Sequence, residues 1–246
     1  MRIDLIGRWL MHLAFPPVCR GCGERFDIFK TPDPLPLCPD CLARWENFVQ
    51  RRAQQGAQGM PQALAESGCR AMFSRVTYHP GQKQLAERLL LRAKDHRDRP
   101  LFRFFAEDMR LPLWQLLEQY GDATKACIVF VPRRPEAKQR AGHDQGEQLA
   151  LALGDALELP VVCALQHRRG TSAQKQLTAA ARAENAKSSY LPTKHAAKLR
   201  GKTVILVDDI VTAGTTLAAA TSLLLEQGAA VVVAATVASA SPDIPS

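Results

Sequence analysis

The sequence predicts an α/β protein: a parallel sheet flanked by helices, preceded by a small N-terminal module held by four cysteines. Three observations predict it. From Cys127 onward, short apolar runs alternate with segments of helical period, the rhythm of strand–helix–strand units. These runs are apolar throughout, not at every second residue, as in strands covered on both faces. Residues 15–41 are rich in Pro, Gly and Cys and hold two CxxC pairs, so their turns are pinned by something other than a core.

The elements follow in order. Residues 3–14 read as an amphipathic helix with Ile6, Leu10 and Leu13 near one face, docked on its own protein, because one short helix with few basic residues anchors weakly to a membrane. Asp4, Arg8 and His12 interrupt this stretch, and Pro16-Pro17 ends it without a small-residue cleavage site, so it does not read as a secretory signal. Residues 50–62 are poor in bulky apolar side chains and read as a linker, placing a module at 1–60 and a domain at 61–246. Arg70–Tyr78 alternates as a strand and stops at Pro80-Gly81. Gln82–Lys94 has Leu85, Leu89 and Leu90 at helical spacing, and Leu101–Gln119 is helical with a break near Pro112.

Four buried strands are expected next, at Cys127–Val131, Val161–Leu165, Thr203–Val207 and Val231–Val237. A basic turn follows the first. A helix then starts near Asp144, with Leu149, Leu153, Ala156 and Leu157 on one face. Residues 166–190 are polar, basic and poorly periodic. Thr216–Gln227 is a helix with Gly228 as a natural C-cap.

The 246 residues are 46% hydrophobic, enough for a sizeable core. No apolar run reaches the roughly 20 residues of a membrane span. A net charge of +8 and a pI near 9.3 favour an anionic partner, whether phosphorylated metabolite, nucleic acid or acidic lipid. Seven cysteines is an odd count, and three of them (Cys69, Cys127, Cys163) are scattered, which excludes a secreted disulfide framework and implies a reducing, cytoplasmic compartment. Cys127 and Cys163 fall in apolar runs and read as small core residues.

The most informative segment is Val204–Thr216. Four apolar residues run into Asp208-Asp209, and a turn of Thr212, Ala213, Gly214, Thr215 and Thr216 opens a helix. Such a turn offers backbone N–H groups in a concave nest, and the helix N-terminus adds positive potential. Gly214 lets the backbone approach an anion, and the threonine hydroxyls can donate to it. Carboxylates repel phosphate, so the two acids must face another part of the ligand; sugar hydroxyls suit them. A phosphate at one end and a diol at the other describe a 5-phosphoribose. Gly201-Lys202-Thr203 imitates the end of a Walker loop, but Ala196 stands where a glycine is needed and the segment leads into a strand.

Strand, acid pair and hydroxyl–glycine turn, in that order, resemble the signature of type I phosphoribosyltransferases. The resemblance implies that Asp208 and Asp209 hold the ribose hydroxyls of phosphoribosyl pyrophosphate (PRPP) and that residues 212–216 hold its 5′-phosphate. It also implies that the segment after the first strand, with Arg133, Arg134, Lys138 and Arg140, is the pyrophosphate loop, with Mg2+ bridging the ligand's oxygens. The pattern R-x-x-T-x-x-Q-x-x-L at Arg168–Leu177, then R-x-x-N at Arg182–Asn185, together with VPRR…GHDQ and the double CxxC, is similar to the ComF/GntX family over nearly the whole chain. Members of that family read RGFNQ where this chain reads AGHDQ at Ala141–Gln145. An arginine is absent there, with Arg140 and Lys138 placed to compensate. His143 replaces an aromatic residue and reads equally as a helix-start residue or a participant in chemistry. Arg168, Arg169 and Lys175 are candidates to close over a leaving group or are simply solvated.

Cys19-x2-Cys22 and Cys38-x2-Cys41, fifteen residues apart, have the spacing of one tetrahedral four-cysteine zinc site. Four ligands leave no open position, so the zinc is structural. Two functions are therefore carried. One is transfer of phosphoribose to or from a base. The other is an accessory role in DNA uptake, which the family resemblance implies, with single-stranded DNA or an uptake protein held through the zinc module.

Overall fold

The computed structural model describes residues 16–26, 36–54, 59–168 and 189–240. The helix expected at 3–14 and most of the Arg168–Asn185 motif lie outside these residues. Four strands build the main sheet: β1 (Ala71–Tyr78), β2 (Ala126–Phe130), β5 (Thr203–Val211) and β6 (Val231–Ala240). Their order is β1-β6-β5-β2 and every neighbouring pair is parallel. A short antiparallel pair, β3 (Leu165–His167) and β4 (Tyr190–Pro192), stands apart from it.

The run Val161–Leu165 is not the full strand expected. Only Val161 bridges to the sheet, beside Ile128 of β2, through bonds from Ile128 N to the Pro160 carbonyl and from Val162 N to the Ile128 carbonyl. The chain then turns away into β3. Cys163, expected in the core, is exposed as a consequence, whereas Cys127 is fully buried in β2.

Seven α-helices are described: α1 (Pro39–Gln54), α2 (Gln62–Glu66), α3 (Leu85–Asp95), α4 (Arg99–Tyr120), α5 (Pro135–Ala141), α6 (Gln145–Leu157) and α7 (Thr215–Glu226). Helix α1 extends into the stretch expected to be a linker. Among the described residues no helix is long and apolar enough to cross a membrane. Helix α4 runs unbroken through Pro112. Leu101, Phe105, Met109, Leu113 and Leu117 repeat every four residues across the proline and are all buried. Burial of that stripe outweighs the roughly 3 kcal/mol that an interior proline costs a helix.

Period-two alternation sends the strand side chains into two cores. Ile128, Phe130, Ile205, Val207 and Val233 join one cluster with α3, α4 and α6. Cys127, Val129, Val204, Leu206 and Val232 join the other with α2 and α7. The first cluster also takes in Cys19, Leu37, Cys41 and Trp45, so the cysteine module shares its core with the sheet. The Trp45 ring packs on Phe104 and Phe105, and its Nε1–H donates to Asp108 at 2.8 Å. Asp108 also receives a fork from Arg75 of β1 (2.7 and 2.6 Å), which fixes α1, β1 and α4 to one another.

Candidate phosphoribosyl site and four-cysteine cluster

Strand lengths create the site. β2 stops pairing with β5 at Phe130–Val207, and one more bond joins Val131 N to the Val207 carbonyl (3.0 Å). β5 continues against β6 as far as Val211. Asp208 and Asp209 are therefore the first residues of β5 beyond the end of β2, at the carboxyl edge where parallel sheets bind ligands. Both are half-buried. Alternation places Asp208 on the α7 side and Asp209 on the α6 side. The contacts agree: Gln145, first residue of α6, donates from Nε2 to Asp209 at 3.3 Å. The two acids also accept from the backbone, Asp208 from Asp209 N (2.9 Å) and Asp209 from Ile210 N (2.8 Å). Burial, reinforced by the adjacent Asp209 carboxylate, pushes the Asp208 carboxyl well above the ordinary range. The Gln145 Oε1 is buried with no hydrogen-bond partner among the described residues.

The turn after β5 leads into α7. Gly214 is left-handed (φ 73°), and no side chain caps the helix, whose first amides remain available to an anion. A Cβ on Gly214 would stand 2.8 Å from Pro61 Cβ and 3.4 Å from Leu64 Cβ, so the turn rests directly on the start of α2. Thr212 and Ala213 are exposed; Thr215 and Thr216 are half-buried at the helix tip.

The second loop leaves β2 beside the first. The expected basic turn contains a helix: Pro135 sits in the first turn of α5 and Gly142 closes it with φ 72°. Arg133 is held at both ends. Its N–H donates to Asp144 Oδ2 (2.8 Å), and its guanidinium reaches the Lys94 carbonyl of α3 (3.2 Å). Asp144 is buried and also caps α6 through Glu147 N. Arg134 and Arg140 are exposed, whereas Lys138 is paired with Glu147 at 2.8 Å. That bond holds the Lys138 ammonium pKa up. His143 is buried against Phe102, with Nδ1 3.0 Å from the Ala141 carbonyl and Nε2 3.0 Å from the Ala93 carbonyl. Of the two readings the sequence left open for it, the structure supports the structural one.

Asp144, Gln145 and Tyr190 are the neighbours that sequence reasoning did not assign. Asp144 and Gln145 stood in a recognised motif, and the N-cap position could have marked the first. Tyr190 carried no signal, because its place depends on the β3–β4 pairing. Burial raises the pKa of its phenol, and the Asp208 carboxylate adds to the effect.

Residues 143–243 match the phosphoribosyl transferase domain family. The phosphoribosyl transferase domain span begins at His143 and takes in α6, β5, α7 and β6; β2 and Arg133–Arg140 precede it. A solved structure of the allosteric regulatory enzyme of purine biosynthesis is similar over 55% of this chain and 25% of its own, at 20% identity and a TM-score of 0.36. A glutamic acid mutant from an analysis of an invariant aspartic acid in HPRTs is similar over 56% of this chain and 76% of its own, at 15% identity and a TM-score of 0.31. The chain thus spans a quarter of the length of the first of these proteins. No curated protein gives a match.

The four module cysteines converge as their spacing predicts. Their Sγ atoms all lie within 4.8 Å of one another, and Cys22 and Cys38 are 3.8 Å apart. A tetrahedron of Zn–S bonds near 2.3 Å has S···S edges of about 3.8 Å, so the cluster is compatible with zinc. Cys19 accepts N–H bonds from Gly21 (3.3 Å) and Cys38 (3.2 Å). Burial pushes its thiol up, but backbone donors from Cys38, Cys22 and Gly21 outweigh this and bring it to about 7. Burial, and then Cys19, push Cys41 the other way.

Proposed function

We propose that this chain is a phosphoribosyltransferase-like protein of the ComF/GntX type that binds PRPP with Mg2+ at the crevice between β5 and β2 and transfers phosphoribose to a base. The observation that carries this reading is the uncapped tip of α7 directly after two carboxylates at the strand edge. The amides and hydroxyls of residues 212–216 hold the 5′-phosphate, and Asp208 and Asp209 accept from the ribose hydroxyls. The unpaired Gln145 Oε1 beside Asp209 suits a ligand hydroxyl or a metal-bound water. The second loop, led by Arg133 and Arg134, faces the pyrophosphate. Mg2+, when bound near Asp208, Asp209 and Gln145, would supply charge neutralisation to the leaving group; the protein's own share is to hold both ends of the ligand. The C1–O bond to pyrophosphate breaks with its electron pair leaving on oxygen, and a base nitrogen forms the new bond to C1 through an oxocarbenium-like state. A structural Zn2+ in the four-cysteine cluster completes the protein, and a reducing cytoplasm is its expected setting.

The test is incubation with PRPP, Mg2+ and a panel of purine and pyrimidine bases, following pyrophosphate, alongside calorimetry with PRPP. Binding that disappears in the Asp208→Asn/Asp209→Asn double variant is expected. Absence of PRPP binding to the zinc-loaded chain would overturn the reading; binding without turnover on any base would move it to the accessory role in DNA uptake.

A further inference from the structure

We propose that Arg20, inside the first cysteine knuckle, is a positioning residue for the second loop of the candidate site, acting through Asp98 and the last turn of α3. The inference rests on the preceding reading only for what that loop binds.

One knuckle grips α3 at both ends. Gly21 sits so close to its first residue that a Cβ there would lie 2.6 Å from Leu85 Cδ1. Arg20 Nε lies 2.7 Å from Asp98 Oδ2, just past the other end of the helix, as an ion pair without the alignment of a hydrogen bond. The Asp98 carboxylate is almost fully buried, and Arg92 of α3 donates to the same oxygen at 2.7 Å. Asp98 also caps α4 through Leu101 N. A buried carboxylate shared by two guanidiniums is costly to leave half-paired, so Arg20 constrains where Arg92 and the end of α3 stand.

The last turn of any helix has carbonyls without intrahelical partners. In α3, two of these receive the second loop. The Ala93 carbonyl meets His143 Nε2 at 3.0 Å, and the Lys94 carbonyl accepts from Arg133 Nη1 at 3.2 Å. Residues one and two places after Arg92 thus hold both ends of the segment that runs from Arg133 to His143. The path runs from Arg20 to Asp98 to Arg92, then along the backbone to Ala93 and Lys94, whose carbonyls bond the loop in parallel, buried at His143 and exposed at Arg133. Closing the cysteine cluster around a metal fixes the backbone of residues 19–22 and therefore the reach of Arg20.

The experiment compares the full-length, zinc-loaded chain with Arg20→Gln and Arg20→Lys, which keep all four thiols. Amide hydrogen exchange is read over residues 131–145, with 204–226 as the internal reference. Arg20→Gln is expected to speed exchange in 131–145 by ~5-fold or more while zinc content and the reference segment stay unchanged; Arg20→Lys, which keeps the ion pair with Asp98, restores most of the protection. PRPP affinity falls in parallel, and ribose 5-phosphate, which has no pyrophosphate, keeps its affinity. Unchanged exchange in 131–145 in Arg20→Gln overturns the inference, even where PRPP binds normally. The expected exchange pattern in a chain with no affinity for PRPP upholds the coupling and removes the ligand reading instead.

Discussion

Replacing Gly214 by alanine separates backbone strain from steric contact in the phosphate turn. Two costs add there. Gly214 has φ 73°, and a left-handed conformation costs an L-residue about 1–2 kcal/mol. The new Cβ would also lie 2.8 Å from Pro61 Cβ and 3.2 Å from Pro61 Cγ, a pyrrolidine that cannot rotate away. Overpacking of that kind costs about 1–3 kcal/mol. The sum is ~2–5 kcal/mol. Gly142 is an internal control: its φ is 72°, but a Cβ there meets nothing within 4 Å. Gly142→Ala should lose only the backbone share, ~1–2 kcal/mol. Thermal unfolding reads the difference, at about 2–4 °C per kcal/mol for a chain of this size. Gly214→Ala should melt several degrees below Gly142→Ala and lose affinity for phosphate, because the turn must lift from α2. Equal melting temperatures for the two variants would refute the argument that α2 buttresses the turn.

Two further outcomes follow from the same geometry. Burial and Asp209 hold the Asp208 carboxyl above the ordinary range, so between that range and its folded value the native state binds more protons than the unfolded chain; stability falls as pH rises through that window, and Asp208→Asn should stabilise the protein at pH 7, the advantage closing as pH falls through the ordinary carboxyl range. Melting curves across pH check this, and a destabilised Asp208→Asn at pH 7 contradicts it. Cys22 is exposed, so Cys22→Ser should change stability by less than about 0.5 kcal/mol unless it is a metal ligand. A fall in bound zinc, with loss of melting temperature matching that produced by a chelator, is the expected result.

Much of the fold was readable because its signals are local. Three of the four parallel strands, β2, β5 and β6, announce themselves as apolar runs, and β5 passes from such a run into two acids with no other burial to explain them. Asp144 begins α6 where its capping geometry requires. What failed depends on distant partners. Pro112 looks like a helix break until the buried stripe on both sides of it is weighed. Val161–Leu165 has the composition of a core strand, but only Val161 finds a sheet neighbour. Pro135 and Gly142 together spell a helix of about two turns, yet the charges between them suggest only a turn. The candidate site was legible in its β5 half, which is continuous in sequence. The roles of Gln145, Tyr190 and Arg20 exist only after the chain has folded, since each meets residues 18 to 78 positions away.

The unequal lengths of β2 and β5 have one more consequence. Because consecutive strand residues look to opposite sides, Asp208 belongs to the environment of Tyr190 and α7, while Asp209 belongs to that of Gln145 and α6. Any molecule touching both carboxylates must straddle the rim of the sheet, joining two layers that the strands otherwise keep apart. The two acids remain electrically linked across that rim, since Asp209 raises Asp208, so an occupant that pairs with one alters the other as well.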